Sequence, residues 1–112
     1  MARILVAGSE SGAGATTVAV GLASIAANAG QQVRVERLAG DERATEDAEV
    51  FGELEVGAGS GDPLTVEQVS GGGGVLILEA PAGADAGALA SQLGARLVFV
   101  RLAGSEAEAP SG

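Results

Sequence analysis

The chain has 112 residues, enough for one small domain, and its composition excludes several kinds of site. It contains neither cysteine nor histidine, which excludes disulfide bonds, thiolate or imidazole metal ligands and imidazole catalysis. The net charge of −9 argues against nucleic acid or an anionic membrane surface as a partner.

The first predicted elements surround a glycine-rich loop, Gly-Ser-Glu-Ser-Gly-Ala-Gly-Ala-Thr-Thr, at residues 8–17. A short apolar run at residues 3–7 predicts a buried strand before this loop. Residues 16–29 carry apolar side chains at helical spacing, which predicts a helix that Gly30 ends. Strand, glycine-rich turn and helix in this order can cradle a phosphate, because backbone N–H groups and the helix dipole point at the anion.

A second strand is predicted at residues 31–37, where apolar and charged side chains alternate. Arg34 and Glu36 would occupy one face of this strand, and the valines between them would occupy the other. The alternation is typical of an edge strand with one solvated face.

The middle of the chain, residues 38–74, has the least regular pattern. Residues 41–51 are acidic and predict a helix, with Ala44, Ala48 and Phe51 on one face. Residues 57–62 predict a flexible loop, residues 63–69 a short helix with proline in its first turn, and the four glycines that follow a linker.

The last elements repeat the strand–helix pattern. The continuous apolar run at residues 75–79 predicts a buried strand that ends in Glu79. Asp85 can cap a helix that extends to Leu93. A third continuous apolar run at residues 97–100 predicts the final strand.

Strands that alternate with helices predict an α/β fold with a mostly parallel sheet and helices on both of its faces. Residues 1–104 are expected to form this single domain, and residues 105–112 a disordered tail. No apolar run approaches the roughly 18 residues that a membrane span needs. Because the N-terminus leads directly into a strand, we expect no signal peptide and a cytoplasmic location.

The glycine-rich loop also carries a family resemblance. Residues 4–8, 11–14 and 16–23 resemble the opening of the dethiobiotin synthetase and cobyrinic acid a,c-diamide synthase group of P-loop proteins, to which the MinD and ParA ATPases are more distantly related. Residues 76–83 resemble the strand of that group that ends in glutamate before a glycine-rich loop, and residues 88–100 its next helix and strand. The resemblance spans most of the chain.

The resemblance implies a three-layer α/β/α P-loop fold, truncated relative to full members, with four strands in the order 2-3-1-4. It implies ATP or ADP with Mg²⁺ as the cofactor. The implied nucleotide- or phosphate-binding residues are Gly8, Ser11, Gly12, Ala13, Gly14, Ala15, Thr16, Thr17 and Arg37. The implied Mg²⁺ ligands are Thr16, Glu79 and Asp47, with Asp41 as an alternative to Asp47. Glu79 is also the candidate catalytic residue.

The chain departs from the family pattern at three places. Ala15 stands where the P-loop has lysine, whether by natural loss or by an engineered replacement, and the chain has no lysine at all. Arg37 stands where the group often has a second lysine. The chain also ends before the segment that grips the base in full members. Loss of one preorganised charged donor typically costs about 10²–10³ in rate.

These departures favour a degenerate P-loop domain that binds nucleotide or phosphate weakly, or regulates a partner, without efficient NTP hydrolysis. The apolar strand at residues 97–100 would lie near a bare sheet edge, which favours a homo-oligomer or a partner protein. One alternative is an ATP-dependent ligase or synthase of the dethiobiotin or cobyrinate type, completed by a residue from another chain. Another is a structural scaffold whose loop stays empty.

Overall fold

A computed structural model describes residues 2–9, 14–70 and 74–101. The strands are β1 (Ala2–Gly8), β2 (Val33–Arg37), β3 (Val75–Glu79) and β4 (Arg96–Val100). The helices are α1 (Ala15–Asn28), α2 (Ala44–Gly52) and α3 (Ala86–Leu93). All adjacent strands run parallel, and their order in the sheet is β2-β3-β1-β4. The predicted α/β class, the parallel sheet and the strand order are confirmed.

Helices cover both faces of the sheet, so the fold has three layers. On one face, α1 packs on the sheet and α2 packs on β2. Their shared cluster is formed by Val6, Ala19, Ala23, Val35, Phe51 and Ile77. On the other face, α3 packs through a cluster that contains Leu5, Leu76, Leu78, Ala90 and Leu93. Continuous apolar strands are expected here, because a parallel sheet between two helical layers is buried on both sides.

Two of the helix predictions, those of α2 and α3, are confirmed. The Asp85 carboxylate accepts a hydrogen bond from the Ala88 N–H at 3.0 Å, and Gly94 ends α3 with a left-handed φ of 62°. The predicted acidic helix exists as α2, and its predicted apolar face, Ala44, Ala48 and Phe51, is buried. Both helices therefore start or pack where the sequence pattern indicated.

The prediction of a helix over residues 63–69 is wrong. Only a single 3₁₀ turn forms, at Val66–Gln68. Leu64 instead lies extended beside β2: its N–H donates to the Arg37 carbonyl at 2.9 Å, and its carbonyl accepts from the Ala39 N–H at 2.8 Å. Backbone pairing with the sheet edge has replaced the first turn that the proline pattern favoured.

The predicted edge position of β2 is confirmed, but the predicted solvated face is wrong for Glu36, whereas the Arg34 side chain is 42% exposed. Glu36 is 4% exposed, and its carboxylate accepts hydrogen bonds from the backbone N–H and the hydroxyl of Ser60. Arg34 forms an ion pair with the same carboxylate at 3.1 Å. The segment 57–64 lies against this strand and buries Glu36.

Part of the earlier predictions lies outside the described residues. This holds for the tail at residues 105–112, for three of the four linker glycines and for Ser11, Gly12 and Ala13 of the glycine-rich loop. Within the described ranges the longest helix, α1, has 14 residues, and no helix is long and apolar enough to span a membrane.

Candidate functional site

The candidate site lies where β2, β3 and the loop after β1 end at the same edge of the sheet. Arg37 and Glu79 are the last residues of adjacent strands and are register partners. Thr16 lies in the first turn of α1, which follows β1. The carboxyl ends of parallel strands form the crevice in which α/β proteins usually bind ligands. The parallel topology alone therefore brings these three side chains together.

Arg37 is the centre of the site, and its guanidinium is buried. The residue is 2% exposed. Its Nη2 group donates to both carboxylate oxygens of Asp41, at 2.9 and 2.8 Å, and its Nε donates to Asp47 Oδ2 at 3.2 Å. Nη1 donates to the Leu38 carbonyl at 2.6 Å, and Glu79 Oε2 lies 3.6 Å from Nε. One cation thus holds three carboxylates, which come from the loop after β2, from α2 and from the end of β3.

Glu79 links this cluster to the start of α1. Its Oε1 accepts a hydrogen bond from the Thr16 hydroxyl at 2.7 Å. Burial raises the pKa of the Glu79 carboxyl above its ordinary value, although the Thr16 hydrogen bond and the Arg37 charge act to lower it. The charges of Asp47 and Asp41 raise it further. Glu79 therefore takes up a proton at higher pH than an ordinary glutamate does.

Asp41 joins the loop after β2 to the loop after β3. Besides binding Arg37, it accepts hydrogen bonds from the backbone N–H groups of Ala82, at 2.8 Å, and Arg43, at 3.1 Å. Burial alone would raise the pKa of Asp41, but these hydrogen bonds and the Arg37 charge outweigh it and lower the pKa. Asp41 is thus held as a carboxylate.

The described part of the glycine-rich loop leads into the N-terminus of α1, which lies beside the Arg37 cluster. Gly14 precedes α1 with a left-handed φ of 99°, and its carbonyl accepts from the Val18 N–H at 3.0 Å. Ala15 is half-buried and packs against the core cluster under α1. Thr17 is exposed, and Gly8 ends β1 beside Val100 of β4. Gly8, Gly14, Ala15, Thr16 and Thr17 therefore border the segment whose middle residues are not described.

The arrangement fits a Mg²⁺ ion only in part. Mg²⁺ commonly takes one or two protein oxygen ligands and completes its shell with water and phosphate oxygens. The Thr16 hydroxyl and the Glu79 carboxylate can supply two such ligands, whereas the Asp47 carboxylate is bonded to Arg37. Among the described residues, no group of three acidic side chains is placed to hold a metal ion. Thr16 and Glu79 are the pair that fits.

The sequence did not indicate that Arg37 would bind three carboxylates. It was predicted as a phosphate ligand, and its hydrogen bonds in the structure go instead to Asp41, Asp47 and the Leu38 carbonyl. The available signal was the pairing of a strand that ends in arginine with a strand that ends in glutamate. Whether Arg37 also contacts a phosphate stays a prediction.

Sequence reasoning also missed a cavity beside the cluster, on the α3 face of the sheet. Its volume is about 310 Å³. Its apolar walls include Leu38, Leu64, Val66, Pro81 and Leu89. The cavity depends on the extended path of the chain at Leu64, which the predicted helix would not have produced.

The chain matches no protein-family model, no curated protein and no solved structure.

Proposed function

We propose that this domain is a degenerate P-loop domain that binds the phosphates of ATP or ADP weakly, together with Mg²⁺, and does not hydrolyse the nucleotide efficiently. The observation that carries the proposal is the 2.7 Å hydrogen bond from Thr16 at the start of α1 to Glu79 at the end of the neighbouring strand. In P-loop NTPases a hydroxyl at the first turn of the helix and a carboxylate at a strand end hold the Mg²⁺ that bridges the phosphates. The same two groups are adjacent here.

The charges of the cluster support binding of a magnesium complex over binding of a free anion. Three carboxylates surround one guanidinium, so the described site is negative when all are ionised. A free phosphate would be repelled, whereas Mg²⁺ between Glu79 and the phosphates would offset that repulsion. Nucleotide binding is therefore expected to require Mg²⁺.

Weak binding and slow chemistry have the same cause. Ala15 provides no cation for the phosphates, and the guanidinium of Arg37 is already bonded to carboxylates. A charged contact of this kind is typically worth about 1.5–3 kcal/mol, which is about 10- to 150-fold in affinity. The remaining attraction comes from the backbone at the start of α1 and from the metal. A cytoplasmic location, where magnesium nucleotides are abundant, belongs to the same proposal.

Isothermal titration calorimetry of the purified chain with Mg-ADP and with ADP in EDTA tests this function. We expect weak binding with Mg²⁺ and none without it. Thr16→Val should weaken Mg-ADP binding by about tenfold or more, since it removes the hydroxyl ligand while keeping the side-chain shape. Thr45→Val is the matched control, because Thr45 is an exposed residue of α2 outside the cluster.

Two outcomes would contradict the proposal. Release of phosphate from Mg-ATP above the uncatalysed rate, lost in Thr16→Val, would favour the alternative of a ligase or synthase. Absence of heat with every ligand, including Mg-ATP, would favour a structural scaffold.

A further inference from the structure

We propose that the free edge of β4 is a docking site for an extended strand from a partner protein, with apolar side chains in its centre and one acidic residue near each end. This surface, the β4 edge, comprises residues 96–101. It lies at the opposite side of the sheet from β2 and does not depend on nucleotide binding.

The backbone of β4 offers hydrogen-bonding groups outward at two residues. The N–H of Ser9, the residue directly after β1, donates to the Val100 carbonyl at 2.8 Å. The backbone N–H and carbonyl groups of Val100 therefore point toward β1. The direction of the backbone N–H and carbonyl groups alternates from residue to residue along a strand, so these groups of Val98 also point toward β1. The N–H and carbonyl groups of Leu97 and Phe99 consequently point away from the sheet, where no strand of the described chain pairs with them.

The same two residues expose apolar side chains. Leu97 is 41% exposed and Phe99 is 51% exposed, and both are among the few large exposed hydrophobic residues of the described chain. Their neighbours Val98 and Val100 pack on the other face, against the cluster under α1. An added strand would satisfy the free backbone groups and cover both apolar side chains in one step.

The charges at the ends of the β4 edge indicate the chemistry of the partner. The chain has only six basic residues against fifteen acidic ones. Arg3 donates to a backbone carbonyl, and Arg34 and Arg37 form ion pairs. In the described structure the side chains of Arg43, Arg96 and Arg101 form neither a hydrogen bond nor an ion pair.

Two of these three unpaired guanidinium groups, those of Arg96 and Arg101, flank the β4 edge, and both residues are exposed. They are five residues apart, so acidic residues five positions apart on an added strand would lie opposite them in either strand direction. Because the chain carries a net charge of −9, further acidic residues on the partner would be repelled. One acidic residue near each end is therefore the favoured pattern.

The same charges disfavour a second copy of the chain as the occupant. A second copy that paired through its own β4 would bring two more exposed arginines, Arg96 and Arg101, and no acidic residue to this edge. The guanidinium groups of both copies would then have no carboxylate partner on the added strand. A heterologous acidic strand has no such conflict.

An NMR titration of the ¹⁵N-labelled chain with defined peptides tests the proposal. The probe is Thr-Glu-Thr-Val-Thr-Val-Glu-Thr, whose acidic residues are five positions apart and whose valines would face Leu97 and Phe99 in the antiparallel direction. The reversed sequence places its valines for parallel pairing with the same composition. The control peptide has lysine in place of both glutamates. We expect one acidic peptide to bind about tenfold more tightly than its lysine counterpart and to shift the Leu97 and Phe99 amide signals most.

Variants of the chain show which residues of the β4 edge contribute to peptide binding. Arg96→Gln combined with Arg101→Gln should weaken binding about fivefold, and Phe99→Thr about tenfold, because an exposed ion pair contributes less than a buried apolar contact. Arg43→Gln removes the third unpaired arginine and should leave peptide binding unchanged. Circular dichroism of each variant confirms that the fold is kept.

Three results would overturn the proposal. They are equal binding of acidic and basic peptides, signal shifts that avoid β4, and absence of shifts with both acidic peptides at millimolar concentration. Sedimentation that shows a dimer, abolished by Phe99→Thr, would identify a second copy as the occupant instead.

Discussion

The two edges of the sheet meet water in opposite ways. At the β2 edge, the segment 57–64 lies alongside the strand: the Val35 N–H donates to the Gly57 carbonyl and the Leu64 N–H donates to the Arg37 carbonyl, both at 2.9 Å. Gly59 lies so close that a β-carbon there would collide with the Val35 carbonyl. The β4 edge has no such cover among the described residues, and its apolar side chains remain exposed.

The described part of the chain covers the β2 edge with its own backbone and leaves the β4 edge without a neighbouring strand. Soluble proteins rarely leave a flat apolar edge open, because such an edge pairs with other chains. Here one edge is closed by the chain itself and also carries the buried Arg37 cluster, whereas the described residues leave the other edge open, with an unpaired arginine at each of its ends. Matched substitutions on the two sides test whether the two edges differ in the free protein.

The largest contrast is expected between the two phenylalanines. Phe51 is fully buried behind β2, and Phe51→Ala should lower the free energy of unfolding by about 3–5 kcal/mol. Phe99→Ala on β4 should lower it by only about 1 kcal/mol, because half of that ring is already exposed. Urea denaturation of both variants measures the difference. Equal losses would mean that the β4 edge is covered in the free protein.

The next contrast compares arginines that end or begin the two edge strands. Arg37→Met removes the cation from Asp41, Asp47 and Glu79 and should cost about 3 kcal/mol, at the low end for a broken buried ion pair, because Glu79 can take up a proton. Arg96→Met should change the stability by less than about 0.5 kcal/mol.

Thermal or urea unfolding near neutral pH measures both values. A stable Arg37→Met variant, with unfolding unchanged, would show that the three carboxylates do not need their shared partner. A large loss in Arg96→Met would show that this arginine is not free.

The smallest expected effect is a pH dependence of stability. It arises from Glu79 and Asp41 near the β2 edge and has no counterpart at the β4 edge. The raised pKa of Glu79 makes its contribution to stability greatest below the ordinary value of 4.5, and this contribution is lost as pH rises through the folded value. The lowered pKa of Asp41 acts in the opposite sense: its contribution is present above 3.8 and is lost as pH falls through the folded value.

We therefore expect the difference in unfolding free energy between the wild type and Glu79→Gln to fall as pH rises above 4.5, and the difference between the wild type and Asp41→Asn to fall as pH drops below 3.8. A single proton can change these differences by at most about 1.4 kcal/mol per pH unit. Denaturation curves across the acidic range measure both slopes. Arg96→Gln is the control and should leave the pH profile unaltered, since arginine stays charged throughout.

The sequence pattern predicted correctly those elements that are marked by a continuous apolar run or by a capping residue. The strand at 75–79 was visible as a continuous apolar run, and α3 was visible from Asp85 and Gly94. The cover of the β2 edge was not visible, because the glycine- and serine-containing segment 57–62 has no periodicity and acts through backbone contacts. The burial of Glu36 depends on that same segment.

The candidate site was predictable to a similar extent. The nearness of Thr16 and Glu79 follows from strand order, which the family resemblance implied. The role of Arg37 was not predictable, because its carboxylate partners lie on the loop after β2, on α2 and at the end of β3, and the sequence pattern does not specify how these elements are placed. Ion pairs between separate elements carry no local sequence signal.

The strand order also dictates when this protein can fold during its synthesis. β1 pairs with β3 and β4, and β2 pairs with β3, so every pair of adjacent strands includes a strand that begins at residue 75 or later. While the ribosome makes the first two thirds of the chain, Leu5 and Val6 have no neighbouring strand to bury them. Chains with such non-local pairing fold slowly and expose apolar segments in the meantime. We therefore expect the apolar residues of β1 to stay exposed during synthesis until β3 emerges.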